Sequence, residues 1–149
     1  DLRMFAVDFA ARNLAVAKTH IHKKSVTFIQ ADALDLPFSE QSVDYVISSL
    51  FLHHFTPEQN IKLLRQAFKI ARHGVIMSDL VRGWLPVIAF KVSQPIFAHS
   101  YLTRYDGALS IRRAYTPSEL TALAETAGLS RFQVHKHFPW RMTLVADHV

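Results

Sequence analysis

Two periods of hydrophobicity alternate along this chain. Short runs rich in β-branched and aromatic residues, at 3–7, 26–30 and 43–48, read as strands. Between the first two, residues 11–21 place Leu14, Ala17 and Ile21 at helical spacing. Thr56-Pro57-Glu58-Gln59 is a helix start, because threonine caps, proline suits the first turn and Gln59 completes a capping box. Ile61, Leu64, Phe68 and Ala71 then share a face, and Gly74 stands where a stop belongs, so a helix is expected over 57–72. Val75-Ile76-Met77 reads as a strand ending at Ser78-Asp79, and residues 80–115 as irregular to helical. Thr116-Pro117-Ser118-Glu119 repeats the capping box, opening a helix with Leu120, Leu123 and Ala127 that Gly128 stops. Strands at about 131–137 and 141–147 flank Phe138-Pro139-Trp140, a hairpin-like connection.

The order is β-α-β-β-α-β, an insert, then α-β-β. It predicts an α/β fold whose mostly parallel sheet has helices on both faces and ends in an antiparallel hairpin. The polar stretch 31–42, with Pro37, Ser39 and Ser42, carries no helical pattern and reads as a loop. With 149 residues, half of them hydrophobic, the chain is long enough for one cored domain over 1–149, with an insert at about 80–115.

Composition narrows the partners. The net charge is +5, but the 17 Lys and Arg are scattered rather than clustered, which argues against a nucleic-acid partner. There are no cysteines, hence neither disulfides nor thiolate metal sites. His20/His22 and His135/His137 lack an accompanying acid or cysteine, so no metal is expected. Residues 84–102 are mostly apolar, yet they contain Lys91, Gln94, His99 and two prolines, which argues against stable membrane insertion. Residues 1–8 lack the basic-then-apolar order of a secretory leader, and a cytoplasmic location is the expectation.

The stretch FIQADALDLPFSEQSVDYVIS at 28–48 carries the chemistry. Short apolar strands with acids at their carboxyl ends are how open α/β sheets build ligand crevices. Together with Phe5-Ala6-Val7-Asp8 it resembles the class I S-adenosylmethionine-dependent methyltransferases, especially the small-molecule subfamily that includes quinone-biosynthesis enzymes. The resemblance extends over nearly the whole chain and implies a Rossmann-like sheet with S-adenosylmethionine as cofactor. It implies that Asp8, followed by Phe9, holds the ribose hydroxyls, that Asp32 and Ala33 meet the adenine edge, and that Leu34 and Phe38 wall it. Ser49 falls where the family often contacts the cofactor. His53 or His54, after the fourth strand of the family, is the candidate base. Trp84, Phe90, Phe97, Tyr101 and Tyr105 would roof an acceptor pocket, with Arg113 (beside Arg112) and Tyr115 holding an acidic or phenolic group.

Each residue also has a plainer role open to it. Asp8 can cap the following helix, Asp32 can form a turn, and the histidines can fix their loop. The family's first strand and glycine-rich loop have no counterpart, since Gly74, Gly83, Gly107 and Gly128 all lie downstream. An upstream segment in the native protein is therefore expected, and residues 1–149 alone are expected to self-associate. Ser48-Ser49-Leu50-Phe51 replaces the Asn/Asp-Pro-Pro-aromatic motif of base methylation. The expected function is methyl transfer to a small, hydrophobic or aromatic acceptor, in a possible homodimer. The alternatives are a non-catalytic binding module and a nicotinamide-dependent oxidoreductase.

Overall fold

The structure, a computed structural model, describes residues 2–23, 25–97 and 101–148. Its backbone contacts divide the chain into two units, Asp1–Ser39 and Glu40–Val149.

In the first unit, β1 (Met4–Asp8) and β2 (Val26–Gln30) pair in parallel, Asp8 opposite Gln30, with α1 (Ala11–His20) as the crossover. The helix packs on both strands through Leu14, its one buried residue, while Ile21 ends it in extended backbone and stays partly exposed. Residues 31–42 form turns without a helix, as the polar composition predicts.

In the second unit, β3 (Val43–Ser49), β4 (Ala71–Leu80), β5 (Phe132–His137) and β6 (Arg141–Asp147) form one sheet in the order β3-β4-β6-β5. β3 and β4 are parallel, whereas β6 runs antiparallel to both of its neighbours. Among the described residues the ladders thus form a two-stranded and a four-stranded sheet, parallel in β1–β2 and β3–β4 and antiparallel where β6 joins β4 and β5.

Both capping boxes are formed. Thr56 opens α2 (Pro57–Ile70) and Thr116 opens α5 (Pro117–Thr126), each accepting from the backbone N–H three residues on while Gln59 or Glu119 reaches back. Gly128 follows α5 at φ +87, a conformation that carries a steric penalty for any residue with a Cβ. The buried face of α2 is Asn60, Leu63, Leu64, Ala67 and Ile70, one position round from the expected Ile61 and Phe68, which are half-buried.

Gly74 is a correction. It stops no helix: α2 gives way at Ala71 directly to β4, and Gly74 lies inside that strand opposite Asp147. α2 and α5 pack together over the sheet face carrying Val75, Met77, Met142, Leu144 and Ala146, all of them buried. Burying each of the four larger side chains is worth about 1.5–3 kcal/mol. The insert resolves into α3 (Trp84–Phe97) and α4 (Tyr101–Arg113), which pack on each other where the Phe90 ring stands against Gly107.

Candidate functional site

The carboxyl ends of the parallel strands carry the candidate groups, and each unit contributes its own set. In the first unit, Asp8 ends β1 and Asp32 stands two residues past β2, so both acids lie at the same end of one parallel pair. Asp8 Oδ1 accepts the Ala10 N–H at 2.7 Å, and the Asn13 side-chain amide bridges both oxygens at 3.2 and 3.0 Å. Asp32 Oδ1 accepts the Leu34 N–H at 2.8 Å, forming a side-chain turn. The plainer roles open to these acids are therefore filled. They use only part of each carboxylate, which has about four acceptor sites. Asp32 Oδ2 has no partner among the described residues. Phe9 is exposed, and its carbonyl accepts from Gln30.

In the second unit, β3 ends at Ser49 and Leu50 turns the chain at φ +56, a left-handed conformation uncommon for a branched apolar residue. A 3-10 turn over Leu52–His54 follows. His53 is buried, its ring Nδ1 lying 2.7 Å from Asp79 Oδ1, while its backbone N–H donates to Asp79 Oδ2 at 3.0 Å. One carboxylate from β4 thus grips both the ring and the main chain of the turn. The His54 ring is stacked at a tilt 4.2 Å from that of His53 but is itself exposed. Partial burial lowers its pKa below the ordinary 6.5, and the neighbouring His53 and Arg113 push the same way against the opposing charge of Asp79. His54 is the member of the pair free to meet a ligand, and it is biased toward the neutral form.

Asn60 braces the far side of this turn. Its amide donates to the carbonyl of Leu52 at 2.9 Å and to the Tyr115 hydroxyl at 3.0 Å, and that hydroxyl donates to the Phe55 carbonyl at 2.7 Å. Burial raises the Tyr115 pKa. Tyr115 is therefore an internal brace for the turn, with only 8% of its surface exposed. Arg141, at the start of β6, donates to Ser49 Oγ at 3.2 Å and to Ser78 Oγ at 3.4 Å. No carboxylate among the described residues pairs with it.

The expected aromatic roof divides. Phe90 packs inside the α3–α4 pair, and Trp84 stands exposed beside an open groove with Arg82, Val87, Ile88 and Arg112. The side chains of Phe97, Tyr101 and Tyr105 lie outside the described residues. Asp79, Asn60 and Arg141 have no counterpart among the sequence candidates. Ser78-Asp79 at a strand end was the single available signal for the first. The other two have none, since their partners are 8 to 92 residues away in the chain. Among the described residues no cluster suits a metal ion.

A family model described as "Methyltransferase domain" matches residues 1–74, covering Asp8, Asp32, Ser49 and both histidines. Residues 1–74 belong to the methyltransferase domain family. Demethylmenaquinone methyltransferase of Bacillus mycoides is 25% identical over 166 residues, an alignment that takes in 100% of this chain and 67% of that protein. The tRNA N(3)-methylcytidine methyltransferase Mettl2 of Drosophila melanogaster is 25% identical over 142 residues, covering 90% of this chain and 43% of that one. The chain thus spans under half of the fly protein's length. A solved structure, a SAM-dependent methyltransferase from Aquifex aeolicus, superposes with a TM-score of 0.70 at 13% identity over 99% of this chain and 69% of that one. The Rossmann-like fold shared with that structure therefore extends beyond residue 74, to the terminal hairpin.

Proposed function

We propose that this methyltransferase domain transfers a methyl group from S-adenosylmethionine to a small, hydrophobic or aromatic acceptor. The observation that carries the reading is the pair of carboxylates, Asp8 and Asp32, at one end of a parallel strand pair with acceptor sites still open. A vicinal diol and an exocyclic amine are donors that such acids suit. Asp8 would hold the ribose, Asp32 and Ala33 the adenine, with Phe9, Leu34 and Ser49 beside the cofactor. The bound cofactor would supply an electrophilic methyl carried on a sulfonium. His54 accepts the proton that an acceptor hydroxyl or amine gives up, while Asp79 and His53 set its position. Arg113 and Tyr101 are the residues assigned to the acceptor.

Calorimetric titration of the full-length protein with S-adenosylmethionine tests the assignment. Asp32→Ala is expected to weaken binding about fivefold, the equivalent of one net hydrogen bond, and to leave the melting temperature nearly unchanged. Asp8→Asn is expected to weaken it as well. Affinity unchanged in both variants would take these acids out of the site.

The His54 assignment has its own pH signature. Its pKa is lowered in the folded chain, so the unfolded chain binds more protons between that value and 6.5. The stability that its neutrality supports is full above pH 6.5 and is lost as the pH falls from there toward the folded value. Ring protons followed by NMR are expected to titrate below 6.5, and His54→Gln is expected to flatten the acid side of a urea-stability profile. A ring titrating at or above 6.5 would contradict this.

A further inference from the structure

No helix among the described residues is long and apolar enough to cross a membrane. α3 nevertheless turns a bare apolar stripe outward. Trp84 is 75% exposed, Leu85 48%, Ile88 50% and Val92 74%. These four positions fall within about 100° of one helix circumference. The opposite side of α3 is occupied, because Pro86 is buried and Phe90 packs against Gly107 of α4. The outward direction of the stripe is thus fixed by packing. Bulky apolar groups gathered this way on a surface mark a site of contact.

Charge says what kind of contact. Trp84–Phe97 contains no acidic residue. Lys91 is exposed, three residues after Ile88 and therefore on the edge of the stripe. Arg112 lines the same open groove, of about 420 Å³, as Trp84, Val87 and Ile88. Arg82 lies there too but is tied to Glu119. Neither Lys91 nor Arg112 has an ion pair among the described residues, and the whole chain carries +5.

We infer that α3 docks the protein onto the surface of a bilayer containing anionic lipid. A short helix with Trp and aliphatic residues on one side and bare cations along its border matches the interface between headgroups and acyl chains. The apolar side chains would enter the acyl boundary, and Lys91 and Arg112 would lie among lipid phosphates. A second copy of the chain is the poorer occupant. A two-fold contact through this stripe would gather four cations with no acidic partner from α3 at one interface, at a cost in like-charge repulsion. The inference stands on exposure and charge alone and does not depend on the methyl-transfer reading.

Sedimentation with extruded vesicles of phosphatidylcholine, with and without phosphatidylglycerol, tests it on the full-length protein. Binding to the anionic vesicles is expected to exceed that to the neutral ones and to weaken with added salt. Trp84→Ser/Val92→Ser and Lys91→Glu/Arg112→Glu each alter only exposed side chains, so their melting curves should match the parent's. Each pair is expected to lower partitioning onto the anionic vesicles by about tenfold or more, the charge pair through two lost cation–lipid attractions. The tryptophan emission shift on binding should disappear with Trp84→Ser. Absence of parent binding to the anionic vesicles, or equal binding by parent and both variants, would overturn the inference. So would a parent dimer in light scattering that Trp84→Ser/Val92→Ser turns into a monomer, which would give the stripe to a second copy.

Discussion

Asp79→Ala is expected to destabilise the second unit by about 3–5 kcal/mol, the cost typical of removing one partner from a buried pair. The carboxylate is 1% exposed and accepts from the His53 ring, from the His53 backbone N–H and from the Leu80 N–H. Truncation leaves the two His53 donors buried with nothing to bond and takes an acceptor from the part-buried Leu80 N–H. Water can replace the lost oxygens only by entering a site in which Asp79 and His53 are both buried. Urea denaturation would show the loss as a lower midpoint with little change in slope. A drop under about 1 kcal/mol would mean that the site hydrates readily and that the pair is not a structural anchor.

Gly74→Ala is expected to cost about 3 kcal/mol or more, the upper end of what overpacking usually imposes or beyond it. A Cβ at position 74 would run into the Ala146 carbonyl oxygen, part of the β6 backbone opposite, well inside van der Waals contact. A flexible side chain would turn aside, but a strand carbonyl can move only by opening the β4–β6 ladder. Gly83→Ala makes the contrast, because its nearest neighbours are ring carbons of Pro86 at 3.2 and 3.3 Å. Thermal melts of the two variants side by side should put Gly74→Ala far below Gly83→Ala. Equal melting temperatures would show that β6 yields more easily than a paired strand should.

Gly74 also shows where reading the sequence stops. A glycine after an apolar helical repeat has the wording of a helix stop, and Gly128 is one. At 74 the same residue serves a close backbone approach, a requirement set by a strand some seventy residues downstream. Local signals carried most of the fold. Reciprocal caps, β-branched runs and the Phe138-Pro139-Trp140 connection act within a few residues, so the elements they specify fall nearly where periodicity puts them. The sheet order is not local: that β6 inserts between β4 and β5 follows from pairings no spacing reveals. The candidate site divides the same way. Asp8 and Asp32 were legible because strand ends can be found from pattern alone. The partner of His53 was not, being 26 residues away on a neighbouring strand. Burial then separates the two histidines, a distinction that adjacent identical letters cannot carry.

The grip of Asp79 on His53 has a mechanical consequence. A side chain carried at the tip of a connecting segment ordinarily wanders, and a misplacement of about 1 Å can cost a hundredfold in reactivity. Here the segment is pinned at two points by one rigid group, ring and main chain together, so it can neither twist about its own axis nor slide along β4. Asn60 fixes the carbonyl of Leu52 from behind. What emerges at His54 is a short stiff arm whose tolerance is set by the sheet beneath it, though it stands outside the sheet.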